Sequence, residues 1–171
     1  MSPAPRPSLL WGPLSRICAW AAVATFAVDQ SHKFWMLAVY RIKERGRVEI
    51  LPFLDVVYVL NRGVSYGLLA TDAQALLVAF AVLTGAALWV WAAKAARHWL
   101  LAASLGLIIG GALANALDRA LHGGVVDYVS LHAFGFYWYV FNIADAAIVA
   151  GVAGLLYDSW RSSRSNATNA A

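Results

Sequence analysis

The chain has 171 residues, of which 61% are hydrophobic and only 13% are charged, with a formal net charge of +4. Soluble domains carry about 25% charged residues. This composition excludes an ordinary soluble domain and indicates an all-α, polytopic integral membrane protein. Its length fits one compact domain, residues 1–171, better than two.

The first predicted element is a membrane span at about residues 14–36. The apolar run from Ile17 to Val28 is shorter than the roughly 20 residues that a span needs. However, the Arg16 side chain can extend to the interface, and the apolar character resumes at Phe34. A cleavable signal peptide is the alternative, because Ala22-Val23-Ala24 resembles a cleavage site. Since the apolar character continues past that site, we expect a retained span.

A long loop follows, over about residues 42–72. Its segment Val48 to Leu60 is rich in β-branched and aromatic residues, which predicts a strand bent at Pro52. Within a second outer loop at about residues 120–136, the segment Gly123 to Phe136 has the same character and is a candidate to pair with it. Because structureless loops of this length are uncommon, we expect a small β-rich cradle at the outer membrane surface.

Three more spans are predicted at about residues 73–93, 99–118 and 137–157, followed by a disordered tail at 159–171. Four spans place both termini on one side of the membrane. Basic residues are almost equally numerous on the two sides, so their raw number does not decide the orientation. The short link between the second and third spans carries Lys94 and Arg97 without an acid, which favours the cytoplasm for that link and for both termini.

The last predicted span contains a carboxylate. If its helix starts near Tyr137, Asp145 lies about 12 Å along it, within a hydrocarbon core roughly 30 Å thick. A carboxylate there costs about 2.5–3.5 kcal/mol on insertion scales. Asp145 therefore needs either a function, with Asn142 one turn earlier, or a buried cation, for which Arg119 is the nearest candidate.

A second polar group ends the third predicted span. Asn115, Asp118 and Arg119 share one helix face, because residues three and four apart are neighbours on a helix. They form either part of a site or a helix end bonded to itself. The Asn-x-x-Asp spacing of Asn115 and Asp118 is repeated in Asn142 and Asp145.

Two further acids have simple structural interpretations. Asp29 and Lys33 are one turn apart and fit an interfacial ion pair at the outer end of the first span. Asp127 follows a Gly-Gly turn among β-branched residues and, taken alone, fits an exposed strand end. Both interpretations leave a site role open.

The residue types favour acid–base chemistry over other kinds. The chain lacks His-x-x-x-His, has only Cys18 as a cysteine and has no acids at metal-binding spacing, so we expect neither metal nor cofactor. Two neighbouring carboxylates in a low dielectric share a proton and so supply a general acid and a general base. Asp127 and Asp145 permit such a pair, although their spacing does not establish it. A proton-coupled transporter and a non-catalytic assembly factor are the alternatives.

The order of these polar motifs resembles the bacterial lipoprotein signal peptidase (signal peptidase II) family over roughly residues 15–157. The matching motifs are Asp29-Gln30-x-x-Lys33, Asn61-x-Gly63, Asn115-x-x-Asp118-Arg119, Val125-Val126-Asp127 and Phe141-Asn142-x-Ala144-Asp145. Three positions depart from the family pattern: Tyr66 replaces Phe, Tyr139 replaces Pro and Ala146 replaces Ser. None of them removes a carboxylate or an amide.

The resemblance implies an intramembrane aspartic endopeptidase of the bacterial inner membrane. It implies four transmembrane helices, a β-rich outer-surface cradle and cleavage of diacylglyceryl-modified prolipoproteins before the lipidated cysteine. Asp127 and Asp145 would be the catalytic dyad, near the outer face. Substrate-binding or supporting residues would be Asn61, Asn115, Arg119, Asn142, Asp29, Gly63, Asp118 and Lys33. We expect a monomer whose partners are these substrates and membrane lipid, and no nucleic acid.

Overall fold

The computed structural model describes residues 9–63 and 72–169. The helices are α1 (Ser15–Phe34), α2 (Ile42–Arg45), α3 (Asp72–Ala95), α4 (Trp99–His122) and α5 (Ile143–Asn169), and a π-helical turn, Trp35–Val39, extends α1. The strands are β1 (Val48–Leu51), β2 (Leu54–Asn61), β3 (Val125–Ala133) and β4 (Phe136–Tyr137).

Three helices in the described residues are long and apolar enough to cross a membrane. They are Gln74–Ala95, Trp99–His122 and Ile143–Arg164. These correspond to the second, third and fourth predicted spans. Helix α1 has a suitable length, but three charged residues, Arg16, Asp29 and Lys33, lower its hydropathy.

The four strands form one antiparallel sheet in the order β1-β2-β3-β4. The chain turns at Pro52 and Phe53 between β1 and β2, so the predicted bend at Pro52 is a hairpin turn. The two long loops of the sequence pair as expected, with Asn61 opposite Val125 and Leu54 opposite Leu131. The predicted β-rich cradle is therefore present as a small sheet.

Helix α4 occupies the centre of the bundle and packs against α1, α3 and α5. Glycines permit this close approach. A Cβ at Gly106 or Gly110 would overlap backbone carbonyl oxygens of α1, and a Cβ at Gly111 would lie 2.6 Å from the Ala144 oxygen of α5. The polar ends of α1, α4 and α5 are consequently brought within side-chain reach of one another.

The last helix differs from its predicted span at both ends. Residues before it are not helical, since Tyr137 belongs to β4 and α5 begins only at Ile143. Asp145 is therefore in the first turn of α5, and its predicted depth of about 12 Å along the helix was wrong. At the other end, α5 continues to Asn169, so the tail that we predicted to be disordered is helical as far as that residue.

Candidate active site

The N-terminus of α5 is fixed by a reciprocal cap. The backbone N–H of Asp145 donates to Asn142 Oδ1 at 2.9 Å, and the N–H of Asn142 donates to Asp145 Oδ2 at 3.2 Å. The Ala146 N–H donates to the Asn142 carbonyl at 3.2 Å, which makes Asn142 the N-cap residue. This is a capping box, in which an N-cap side chain and the residue three positions later satisfy each other's free donors. The Asn-x-x-Asp spacing here thus has a local structural cause.

Asp127 lies in β3 and is 1% exposed, so its interpretation as an exposed strand end was wrong. Its two carboxylate oxygens accept hydrogen bonds from two amides, Asn142 Nδ2 at 2.6 Å and Asn61 Nδ2 at 3.0 Å. Burial raises the pKa of Asp127 to about 6, and the neighbouring negative charge of Asp145 acts in the same direction. The two amide donors oppose that rise, because they stabilise the ionised form.

Amides also connect the two predicted catalytic carboxylates. Asn142 contacts Asp127 through its side chain and Asp145 through its backbone N–H. Asn115 Nδ2 donates to Asp145 Oδ1 at 2.8 Å, and Asn115 Oδ1 accepts from Asn142 Nδ2 at 3.2 Å. Strand β3, helix α4 and the start of α5 therefore present Asp127 and Asp145 to one another within a frame of neutral hydrogen-bond donors.

Arg119 lies beside this frame. Its Nη1 donates to the Asn115 carbonyl of its own helix at 3.2 Å, so the helix end is partly bonded to itself, as one interpretation of the sequence proposed. Among the described residues, Arg119 forms no ion pair within 4.0 Å, and its buried Nε lacks a hydrogen-bond partner. It is therefore not the directly paired cation that we considered for Asp145.

Gly63 and Asn61 form a turn at the edge of the site. Gly63 has a φ of +79°, a conformation that glycine adopts readily, and its N–H donates to Asn61 Oδ1 at 2.9 Å. This bond holds the Asn61 amide with its Nδ2 toward Asp127. A Cβ at Gly63 would lie 3.2 Å from Leu77 Cδ1, a tight contact, and 3.6 Å from Arg119 Nη2, an ordinary one.

The remaining charged motif residues form a second, buried network. Lys33 Nζ lies 2.8 Å from Asp29 Oδ2 and 2.7 Å from Asp118 Oδ2, and it donates to Asn115 Oδ1 at 3.2 Å. Lys33, Asp29 and Asp118 are each at most 2% exposed. The interfacial ion pair proposed for Asp29 and Lys33 thus exists as a pair, but it is buried and includes a second acid. Three donors of one ammonium meet three acceptors, as a buried lysine requires.

The buried network reaches both halves of the predicted site through backbone groups. Asp29 Oδ1 accepts from the Ala144 N–H of α5 at 2.8 Å, and Asp118 Oδ2 accepts from the Val126 N–H of β3 at 3.0 Å. Each of these N–H groups is adjacent in sequence to one carboxylate, Asp145 or Asp127. The network therefore fixes the two segments that carry them.

Gln30 is a contributor that the sequence reasoning did not select. Its Nε2 donates to Asp118 Oδ1 at 2.9 Å and to the Ala114 carbonyl at 3.2 Å. The sequence contained a signal for Gln30, because this amide directly follows Asp29 in the first motif.

Three positions depart from the family pattern. Tyr139 and Ala146 are exposed, while Tyr66 lies outside the described residues.

A groove of about 1010 Å³ opens beside Asp145 and Asn61. Its walls are largely apolar, formed by the far end of the sheet and by one face of α5. Lining residues include Phe53, Leu131, Phe136, Trp138, Val149 and Ala153. A carboxylate and an amide at one end of an apolar groove form an arrangement suited to an extended amphiphilic ligand.

Comparisons with known proteins show the family of this chain. Residues 21–161 match the family model described as signal peptidase (SPase) II. The chain is 50% identical over 155 residues to a lipoprotein signal peptidase of Methylocella silvestris, covering 88% of this chain and 89% of that protein. It is 50% identical over 150 residues to one from Methylobacterium sp. strain 4-46, covering 85% and 90%.

Two solved structures, both described as bacterial membrane enzymes determined by the in meso method, share the fold. One, at 1.9 Å resolution, has a TM-score of 0.75 and 25% identity and covers 88% of this chain and 96% of its own. The other, at 2.3 Å resolution, has a TM-score of 0.73 and 26% identity, with coverage of 85% and 88%. Since the family model spans most of the sequence, this chain belongs to the signal peptidase II family.

Proposed function

We propose that Asp127 and Asp145 are the catalytic dyad of this signal peptidase II. As a member of that family, the protein is an aspartic endopeptidase that removes signal peptides from prolipoproteins. The observation that carries the residue assignment is the Asn142 bridge, with 2.6 Å to Asp127 Oδ1 and 3.2 Å to Asp145 Oδ2. The side-chain amide of Asn142 donates to Asp127 and its backbone N–H donates to Asp145, so one residue holds both carboxylates, with no cation paired to either among the described residues.

The roles of the two acids follow from their surroundings. Because burial raises the pKa of Asp127 to about 6, this carboxyl retains a proton up to about pH 6, well above the ordinary range of an aspartate, and serves as the general acid. Ionised Asp145 then removes a proton from water, and the resulting hydroxide attacks the scissile carbonyl carbon. Asp127 donates a hydrogen bond to the carbonyl oxygen as negative charge develops there.

Collapse of the tetrahedral intermediate breaks the C–N bond. The leaving amine takes a proton from the dyad and becomes the new N-terminus, while the signal peptide leaves with a carboxylate. The step needs neither a covalent intermediate nor a metal or cofactor. Asp145 lies in the first turn of α5, where its Oδ2 accepts the Asn142 N–H.

The other motif residues act as supports in this proposal. Asn61, Asn115 and Asn142 orient the dyad through their amides, and Gly63 holds Asn61 in its turn. Arg119 contributes positive charge beside both acids, which favours negative charge on the bound transition state. The buried Lys33 network fixes the segments on which the dyad lies.

We further propose the arrangement in the membrane. Helices α1, α3, α4 and α5 would be the four spans of a monomer in the bacterial inner membrane, with both termini in the cytoplasm and the sheet at the outer face. The substrate would be a prolipoprotein with a diacylglyceryl-modified cysteine, whose acyl chains remain in lipid, and no nucleic acid would take part. The apolar groove beside Asp145 suits such a substrate.

The test is a gel-shift cleavage assay with a diacylglyceryl-modified prolipoprotein and purified protein. Asp127→Asn and Asp145→Asn should each lower the cleavage rate by about 10²–10⁴-fold, the usual contribution of general acid–base groups. Asp158→Asn, an acid paired with His98 on the α3–α4 link, is the matched control and should cleave normally. Full activity of both dyad variants would refute the residue assignment.

A further inference from the structure

Residues 41–47 form a basic segment that the peptidase chemistry does not use. The segment reads RIKERGR and carries four basic side chains against the single acid Glu44. It follows the same end of α1 at which Lys33 contacts the site, so it belongs to the outer side in the proposed orientation. Basic residues near span ends favour retention in the cytoplasm, so a basic segment on the translocated side works against insertion. Because this segment makes membrane insertion less favourable, we expect its basic residues to have a function.

The segment is held rigidly against the sheet. Ile42 is 1% exposed and packs in one apolar cluster with Met36, Val126 and Tyr128. The charged side chains of Arg41, Lys43 and Arg45 are exposed around this anchor. The short helix α2 therefore presents its cations outward from a fixed backbone.

Aromatic rings hold two of these cations in place. Lys43 Nζ lies 5.0 Å from the centre of the Tyr58 ring, and Arg45 Cζ lies 4.5 Å from that of Tyr40. The Tyr40 ring in turn stacks on Trp35 at 5.5 Å, and Arg45 Nε donates to the Tyr40 carbonyl at 2.7 Å. Cations over aromatic faces keep their charge and lose little further freedom on binding an anion.

Among the described residues, Arg47 forms an ion pair with an acid, whereas the other three cations of the segment do not. Its Nη1 lies 2.5 Å from Asp55 Oδ2, an ion pair within the sheet. Within the part of the chain that the structure describes, Arg41, Lys43 and Arg45 form no ion pair with an acid. Their positive charge is available to a partner outside the protein.

The position of the cations indicates which partner. Trp35 begins the turn that directly extends α1 and Tyr40 ends it, next to the exposed apolar side chains of Phe34 and Val39. In membrane proteins, Trp and Tyr at span ends lie at the level of the lipid headgroups. Arg45 packs on the Tyr40 ring, and Lys43 precedes Arg45 by two residues in α2, so with α1 as a span both cations would lie at the depth of the lipid phosphates.

We propose that Arg41, Lys43 and Arg45 bind the phosphate of an anionic phospholipid in the leaflet on the side of the dyad. The lipid's acyl chains lie along the apolar surface that α1 and its π-helical turn expose. The proposal rests on α1 as a membrane span and does not depend on the dyad assignment. Polybasic segments at a membrane surface attract anionic lipid by electrostatic attraction that increases with each Lys or Arg.

Native mass spectrometry of the full chain in detergent, titrated with phosphatidylglycerol or phosphatidylcholine, tests the site. The wild-type protein should bind phosphatidylglycerol more tightly than phosphatidylcholine. Lys43→Gln/Arg45→Gln should weaken the tightest phosphatidylglycerol binding by roughly 30-fold, about fivefold for each charge removed, and leave phosphatidylcholine binding unchanged. The control Lys94→Gln/Arg97→Gln removes the same charge from the opposite end of the bundle and should retain the tightest binding.

The substitution Glu44→Gln tests the same lipid site while leaving all four basic side chains of the segment in place. Since Glu44 is exposed and is the one acid of the segment, its removal should tighten phosphatidylglycerol binding by up to about fivefold. Inorganic phosphate in excess should not displace the lipid. Unchanged binding in both segment variants, or equal weakening by the Lys94→Gln/Arg97→Gln control, would overturn the proposal. Displacement by phosphate alone would replace it with a general anion site.

Discussion

Two neighbouring pairs of acids in this protein are held in opposite ways, and Asn115 contacts both arrangements. Asp29 and Asp118 share the ammonium of Lys33, whereas Asp127 and Asp145 receive hydrogen bonds from neutral amides. In the first pair, Lys33 Nζ lies 2.7–2.8 Å from one oxygen of each acid. Amides in a buried site leave the second pair able to share a proton. In the proposed function, the hydrogen-bonding partner therefore distinguishes the structural carboxylates from the catalytic ones.

The largest expected effect on folding comes from removing the cation. Lys33→Met leaves two buried carboxylates without their counter-charge, which should lower the free energy of unfolding by about 3–5 kcal/mol. Thermal unfolding in detergent measures this loss, with the exposed Lys94→Met as the matched control. Adding Asp29→Asn and Asp118→Asn to Lys33→Met should recover much of the stability, since the uncompensated charges are then gone. A stable Lys33→Met protein would contradict the role given to this network.

Asn142 both caps α5 and donates a hydrogen bond to Asp127, and two substitutions separate these two roles. Asn142→Ala removes the α5 cap and the hydrogen bond to Asp127, so it should cost about 1 kcal/mol of stability and about 100-fold in kcat. Asn142→Ser keeps a capping oxygen but lacks the amide donor. Serine should therefore restore stability without restoring kcat. Recovery of both quantities would show that Asn142 acts only as a cap.

Asn61 should set the pH dependence of the dyad. Its amide stabilises ionised Asp127, so Asn61→Ala should raise the pKa of Asp127 above about 6. If protonated Asp127 is the general acid, activity falls as pH rises through that pKa, and the alkaline limb of kcat/KM should move to higher pH. The pH profile of kcat/KM measures this shift, with Asp158→Asn as the control. A limb that moves to lower pH would contradict the acid role of Asp127.

The smallest effect is expected at a fifth acid, Asp55, which lies on the sheet away from the dyad. The half-exposed Arg47 guanidinium, followed by His132, lowers the pKa of Asp55. A lowered pKa stabilises the fold above the ordinary aspartate value near 3.9, and this contribution is lost as pH falls through the lower native value. Arg47→Gln should therefore slightly reduce stability at neutral pH, less so in acid, and leave cleavage unchanged. Thermal unfolding across pH tests this, and a loss of cleavage would link Asp55 to the site.

Local patterns in the sequence predicted much of the architecture. The charge-free runs located α3 and α4 to within a few residues, and the β-branched segments predicted β2 and β3. The start of α5 was misplaced because residues 137–142 are as apolar as the helix that follows, so hydrophobicity alone does not separate them. The capping signal at Asn142, three residues before Asp145, marked the true start.

Contacts between different helices and strands could not be predicted from local sequence patterns. The sequence placed Asp29 and Lys33 on one face, but their union with Asp118 depends on how closely α1 packs on α4 at Gly106 and Gly110. Likewise, the burial of Asp127 arises from β3 packing on the bundle, and its own neighbours in the sequence suggested exposure. Motif order identified the residues of the candidate site, whereas tertiary packing determined which cation neutralises which acid.

The central claim is that Asp127, which is held by neutral amides and not by a cation, keeps a proton up to about pH 6. Isotope-edited infrared spectroscopy of aspartate-labelled protein detects a protonated buried carboxyl by its C=O stretch. We predict a band that disappears with a midpoint near pH 6 in wild type, is absent from Asp127→Asn and persists in Asp158→Asn. A midpoint for Asp127 near the ordinary aspartate value of about 3.9 would contradict the account.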